Sequence, residues 1–83
     1  MNTEEQVIAS LEAALNIRLD RARTNAGTPL LGALPEFDSM AVVALLATME
    51  ERLGIVVDDD EIDGSIFATV GSLTDFVRGK LAA

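Results

Sequence analysis

Ten consecutive residues, Met40 to Met49, contain a single polar side chain, Thr48. That run limits what an 83-residue chain can become more than any other feature. A helix in a small soluble protein ordinarily carries one apolar stripe. At about 100° per residue, Val42, Leu45, Leu46, Met49 and Leu53 fall on one side, the stripe a core requires. Met40, Ala44 and Ala47 fall on the other, with Val43 at the edge and Glu51 below. Either the helix is buried all round or its second face docks a partner. A bundle of three or four helices cannot easily enclose one of them, which favours docking.

The remaining segments supply partners for that helix. Thr3 followed by Gln6 reads as a capping box, with Glu4 and Glu5 in a first turn that favours negative charge. Ile8, Leu11 and Leu15 share a face, and this first helix is expected to end between Ile17 and Asp20. A long irregular segment follows, punctuated by Gly27, Pro29, Gly32 and Pro35. Leu30, Leu31, Leu34 and Phe37 are the residues expected to pin it inward. Asp38 is a good N-cap for a helix over 39–53, which Gly54 ends with Arg52 in its last turn. A short helical turn is expected over 59–63, closed by Gly64. Thr69 caps a final helix over 70–79, with Leu73, Phe76 and Val77 facing inward. No stretch alternates like a strand, although Ile55 to Val57 suit a brief extended piece. The expected fold is a small all-α bundle, three main helices and one short one, forming one domain over 1–83 with a long first loop.

Composition narrows the chemistry. There is no cysteine and no histidine, so disulfides, thiolate metal sites and imidazole bases are excluded. Hydroxyls, carboxylates and one lysine remain, with no imidazole to activate a nucleophile. That argues against an enzyme, with only carboxylate chemistry left open. A net charge of −8 argues against nucleic acid and against anionic membrane surfaces, and favours basic partner surfaces. Plain solubility explains part of the same charge. The start MNTEEQ lacks the character of a signal peptide, and the longest apolar run is about half of a membrane span. A cytoplasmic monomer is expected.

The acidic stretch DDDEIDG resembles the opening of a calcium loop from Asp59, with acids at alternate positions and then Gly64. Such a loop needs a bidentate glutamate at its twelfth position, which here is Val70. An acidic, solvated helix start is the better interpretation, and no metal site is expected.

The pair Asp38-Ser39 has a plain explanation, in which Asp38 caps the helix and Ser39 fills its first position. The same geometry leaves a hydroxyl at the helix tip, beside backbone N–H groups and the positive dipole end. That place suits a phosphate esterified to the serine. The second apolar stripe starts one residue later.

Taken together, LPEFDSMAVVALLATMEERLG, the acidic DDDEIDG and the Thr69-Val70 pair resemble the acyl carrier protein family over nearly the whole chain. Met40 stands where the family usually has leucine. The resemblance implies a four-helix bundle in which Ser39 carries 4′-phosphopantetheine, delivered from coenzyme A by a phosphopantetheinyl transferase. The arm's thiol would hold an acyl or aminoacyl group as a thioester. The protein would itself catalyse nothing. Its partners would be an acyl-loading enzyme (acyl-CoA ligase-like or a synthase) and acyl-transferring enzymes, met through Met40, Val43, Ala44, Ala47, Glu50 and Glu51.

Carriers of general fatty acid synthesis usually place acids early in this helix, where Ala41 and Ala44 stand here. Only Glu50 and Glu51 keep the acidic pattern. This shifts weight toward a dedicated pathway of lipid or secondary metabolite biosynthesis. LPEFDSMAVV and FATVGSL are similar to stand-alone carriers of bacterial exopolysaccharide-type gene clusters. A peptidyl or aminoacyl carrier and an unmodified helical interaction module are the alternatives. Helix propensity alone also accounts for the alanines.

Overall fold

The computed structural model describes residues 2–20, 22–30, 32 and 37–82. Three helices form the bundle: α1 (Thr3–Leu15), α2 (Ser39–Leu53) and α3 (Val70–Ala82). Two 3-10 turns, Asp59–Glu61 and Gly64–Phe67, bridge α2 and α3. α1 packs along both other helices, while α2 and α3 make little direct contact among the described residues. The chain between them is tied to α2 through Glu50 and to α3 through Lys80. The architecture is the small all-α bundle expected from the pattern of apolar residues.

The α1 cap is one residue earlier than the capping box suggests. Asn2 accepts the Glu5 amide on Oδ1 at 2.8 Å, and its carbonyl accepts the Gln6 amide. Asparagine is at least as good an N-cap as threonine, and here it holds the extended backbone a cap needs. The helix also ends sooner than expected. Asn16 takes a left-handed conformation (φ 54°), and Ile17 returns its amide to the Glu12 carbonyl.

Helix α2 has the expected bounds. Asp38 Oδ1 accepts the Ala41 amide at 2.9 Å. Gly54, at φ 69° and ψ 26°, ends the helix where a side chain would be strained. Leu45 and Met49 are fully buried at the centre of the core, whereas Val42, Leu46 and Leu53 pack against it half-buried. Leu46, expected as a core residue, is therefore peripheral, and Leu45 is the pivot of the stripe. Ala41 is 8% exposed and belongs to the core.

The single short helix expected over 59–63 is two 3-10 turns instead. Gly64 does not close the first but opens the second, which Asp63 caps by accepting the Ser65 amide at 2.8 Å. Ile55 to Val57 form no strand, and the β-type contact that does occur pairs Pro29 with Thr69. α3 runs three residues beyond Gly79. Leu73 and Val77 are buried and Phe76 is half-buried. Leu30 and Phe37 pin the first loop as expected, while Leu31, Leu34 and Pro35 lie outside the described residues.

The first loop is stitched to the start of α3 by backbone bonds. Leu30 N–H donates to Ala68 O, Val70 N–H to Thr28 O and Gly71 N–H to Ala26 O. Within the loop, the Asn25 carboxamide oxygen accepts the Gly27 amide and the Thr28 hydroxyl oxygen accepts the Asn25 amide. Bonds within the loop and to the start of α3 thus satisfy backbone groups that no regular element of the loop's own would pair.

Candidate functional site

Two anchors fix the tip of α2. Phe37, directly before the cap, is buried against Phe67 of the second 3-10 turn, their ring centroids 5.9 Å apart at 46°. Phe67 in turn sits beside Thr69, whose reciprocal bonds with Ser72 cap α3: Ser72 N–H to Thr69 Oγ1 and Thr69 N–H to Ser72 Oγ, both 3.1 Å. The Ser72 hydroxyl donates to Ile66 O at 2.8 Å, with Thr69 O also within reach at 3.0 Å. The Thr69-Val70 pair is thus a junction. It starts α3, receives the first loop and places the aromatic that seats Phe37.

Immediately beyond Phe37 the chain turns outward. Asp38, Ser39 and Met40 are all exposed. Asp38 takes the amide of Ala41 on its side chain and that of Val42 on its carbonyl. Among the described residues the amides of Ser39 and Met40 meet no acceptor, so they stand as the open donors of the helix end. The Ser39 hydroxyl has no hydrogen-bond partner among the described residues. An oxygen in this position can be esterified without disturbing any bond of the fold, and a phosphate on it would meet two amides and the positive end of the dipole.

The chain's four serines differ sharply. Ser10 is fully buried and donates to Gln6 O. Ser72 is half-buried inside the α3 cap. Ser65 is exposed but sits in a four-residue 3-10 turn. Ser39 alone combines exposure with the first position of a fifteen-residue helix.

The face expected to dock partners is largely open. Met40 is 75% and Val43 62% exposed, and Ala47 and Glu51 are exposed as well. Ala44 is half-buried. Glu50 is half-buried too, and its Oε2 accepts the Val57 amide at 2.9 Å, so its carboxylate already ties down the chain after α2. Of the two positions read as missing acids, Ala41 is a core position, where a carboxylate would cost several kcal/mol in desolvation unless paired. Only Ala44 carries the contrast. Val56 was not singled out by periodicity. It lies two residues past the Gly54 cap, outside any repeat, and is 71% exposed.

No group of three His, Cys, Asp or Glu side chains that could hold a metal ion occurs among the described residues. Glu61 instead pairs with Lys80, and its Oε2 accepts the Asp58 amide at 2.9 Å. The Lys80 hydrogen bond, followed by the Asp58 amide, holds the Glu61 carboxyl below the usual 4.5. The Ser65 amide and hydroxyl do the same for Asp63.

A model of the phosphopantetheine attachment site family matches residues 6–77, most of the chain. The solution NMR structure of a holo acyl carrier protein from Nitrosomonas europaea is 42% identical, with a TM-score of 0.88 over 100% of both chains. The chain belongs to the acyl carrier protein family. No curated protein matches. As a member of this family the protein is a carrier and not an enzyme, the group it bears is phosphopantetheine, and enzymes that attach the arm and handle acyl groups are its general class of partner. No described helix of this carrier is long and apolar enough to cross a membrane.

Proposed function

We propose that Ser39 is the residue that carries 4′-phosphopantetheine, and that the carrier delivers an acyl or aminoacyl group to enzymes of a dedicated biosynthetic pathway in the cytoplasm. The observation that carries the site is the exposed Ser39 hydroxyl at the tip of α2, which has no hydrogen-bond partner among the described residues and lies beside the amides of the first turn. When attached, the arm supplies a terminal thiol that holds the carried group as a thioester, which suits a chain with no cysteine of its own.

The chain's own residues perform three tasks. Asp38 caps the helix and keeps Ser39 at its first position. Phe37, seated on Phe67, keeps that tip from sinking into the bundle. Met40, Val43, Ala44 and Ala47 offer partners an apolar surface, with Glu51 at its lower edge and Val56 beyond the helix end. Apolar contacts rather than salt bridges dominate the first half of this surface, because position 44 is alanine and position 41 faces inward. That composition supports dedicated partners, an acyl-CoA ligase-like loading enzyme among them.

Incubation with coenzyme A and a broad-specificity phosphopantetheinyl transferase, followed by mass spectrometry, tests the site. The wild type and Ser65→Ala should each gain one arm, and Ser39→Ala none. An arm gained by Ser39→Ala would move the site elsewhere.

A further inference from the structure

The two irregular segments of the bundle are held by different means. The first loop has three backbone bonds to residues 68–71. Residues 55–62, between α2 and the second 3-10 turn, have no backbone-to-backbone bond to another part of the chain among the described residues. Two carboxylates hold them. Glu50 of α2 takes the Val57 amide at one end, and Glu61 meets Lys80 of α3 at the other. Beneath, Ile55 is buried and Val57 and Ile62 pack half-buried on the core.

The second tie is well shielded for an ion pair of a small protein. The Lys80 side chain is 21% and the Glu61 side chain 33% exposed. Both carboxylate oxygens of Glu61 contact Nζ, and the ammonium also lies 6.0 Å from the Phe76 ring centre. Lys80 is the chain's one lysine. An open groove of about 350 Å³, lined by Glu61, Asp75, Phe76, Gly79 and Lys80, runs along the pair. The turn therefore has space beside it, and among the described residues no backbone bond joins it to α3.

We propose that the Glu61–Lys80 pair is the latch of a strap: releasing it lets residues 55–62 lift off α3 while the three helices stay folded. Lifting bares Ile55, Val57 and Ile62 and the part of the core they cover. The latch belongs to the bundle and is independent of what Ser39 carries. Elements held by few buried contacts and by side-chain bonds open locally at lower free energy than the helices they cover.

Hydrogen exchange followed by NMR tests this with Lys80→Met, which keeps the aliphatic stem, and Glu61→Gln, which keeps an acceptor for the Asp58 amide. In both variants the amides of Val57, Asp58 and Glu61 should exchange roughly three- to tenfold faster. The amides of Leu11, Leu45 and Val77 should accelerate only by the loss of global stability, and in low urea their exchange should rise steeply while that of the strap hardly changes. Lys80→Met is the decisive variant, because it leaves every backbone partner of the strap in place. Unchanged exchange in the strap would overturn the proposal. So would strap exchange that rises with urea as steeply as exchange in the helices, since the strap would then open only when the whole bundle unfolds.

Discussion

The Gly71 amide donates to the Ala26 carbonyl at 2.7 Å, and a Cβ built on Gly71 would lie 2.8 Å from that same oxygen. Glycine inside the first turn of a helix costs about 1 kcal/mol relative to alanine in propensity alone. Here it permits a close approach between the first loop and α3. Gly71→Ala should therefore destabilise the carrier despite its better helix propensity, by about 1–3 kcal/mol, because the obstructing atom is backbone and cannot rotate away. A thermal melt checks the sign: a raised midpoint would show that the loop yields freely.

Leu45, not Leu46, is the side chain on which α2 turns. Leu45 is fully buried and Leu46 only half so. Leu45→Ala should cost about 2–5 kcal/mol, a large share of the stability of a small domain. Leu46→Ala should cost clearly less. Urea denaturation of the two variants side by side settles the order, and equal losses would mean that the stripe is buried more evenly than the structure has it.

Acid should weaken the wall between α2 and α3. A carboxylate whose pKa is lower in the folded state stabilises the fold above its unfolded value, and that contribution is lost as the pH falls through the folded value. Glu61 and Asp63 are both lowered, so theirs fade below pH 4.5 and 3.8 respectively. Glu61→Gln should be less stable than the wild type at neutral pH, and the two should converge as the pH drops below 4.5. A difference that stays constant with pH would show that the ionised form of Glu61 contributes nothing.

Val43 should tolerate charge in the fold but not in partnership. It is 62% exposed on the side of α2 away from Leu45. Val43→Asp should change stability by about 0.5 kcal/mol or less and still accept the arm. Acyl loading by its partner enzyme should lose at least about tenfold in kcat/KM, the effect of charge placed at the centre of an apolar contact. A melting temperature that collapses would instead mean that α2 is enclosed on both sides.

Local chemistry made much of this legible. Asp38 and Gly54 mark α2 because each suits its own terminus, and the two apolar stripes follow from spacing alone. Asn2 was harder to separate from Thr3, since adjacent polar residues compete for one cap and the winner depends on the first backbone angles. The acidic stretch did not declare its two 3-10 turns, because Asp63 caps as readily within a helix end as before a new turn. Long-range facts lay beyond pattern. Lys80 finds Glu61 nineteen residues away, and Phe37 finds Phe67 through the fold. At Ala41, helical spacing near the edge of the core stripe did not disclose burial. Gly71 did leave a signal, a helix-weakening residue in a first turn, which points to close backbone approach.

The attachment of phosphopantetheine to Ser39 is the central claim, and fragmentation of the modified protein in the mass spectrometer tests it most directly. After treatment with coenzyme A and transferase, the added mass should reside on the peptide spanning Asp38 to Met40, and Ser39→Ala should gain nothing. Mass found on a peptide containing Ser65, or no gain with several transferases, would contradict it.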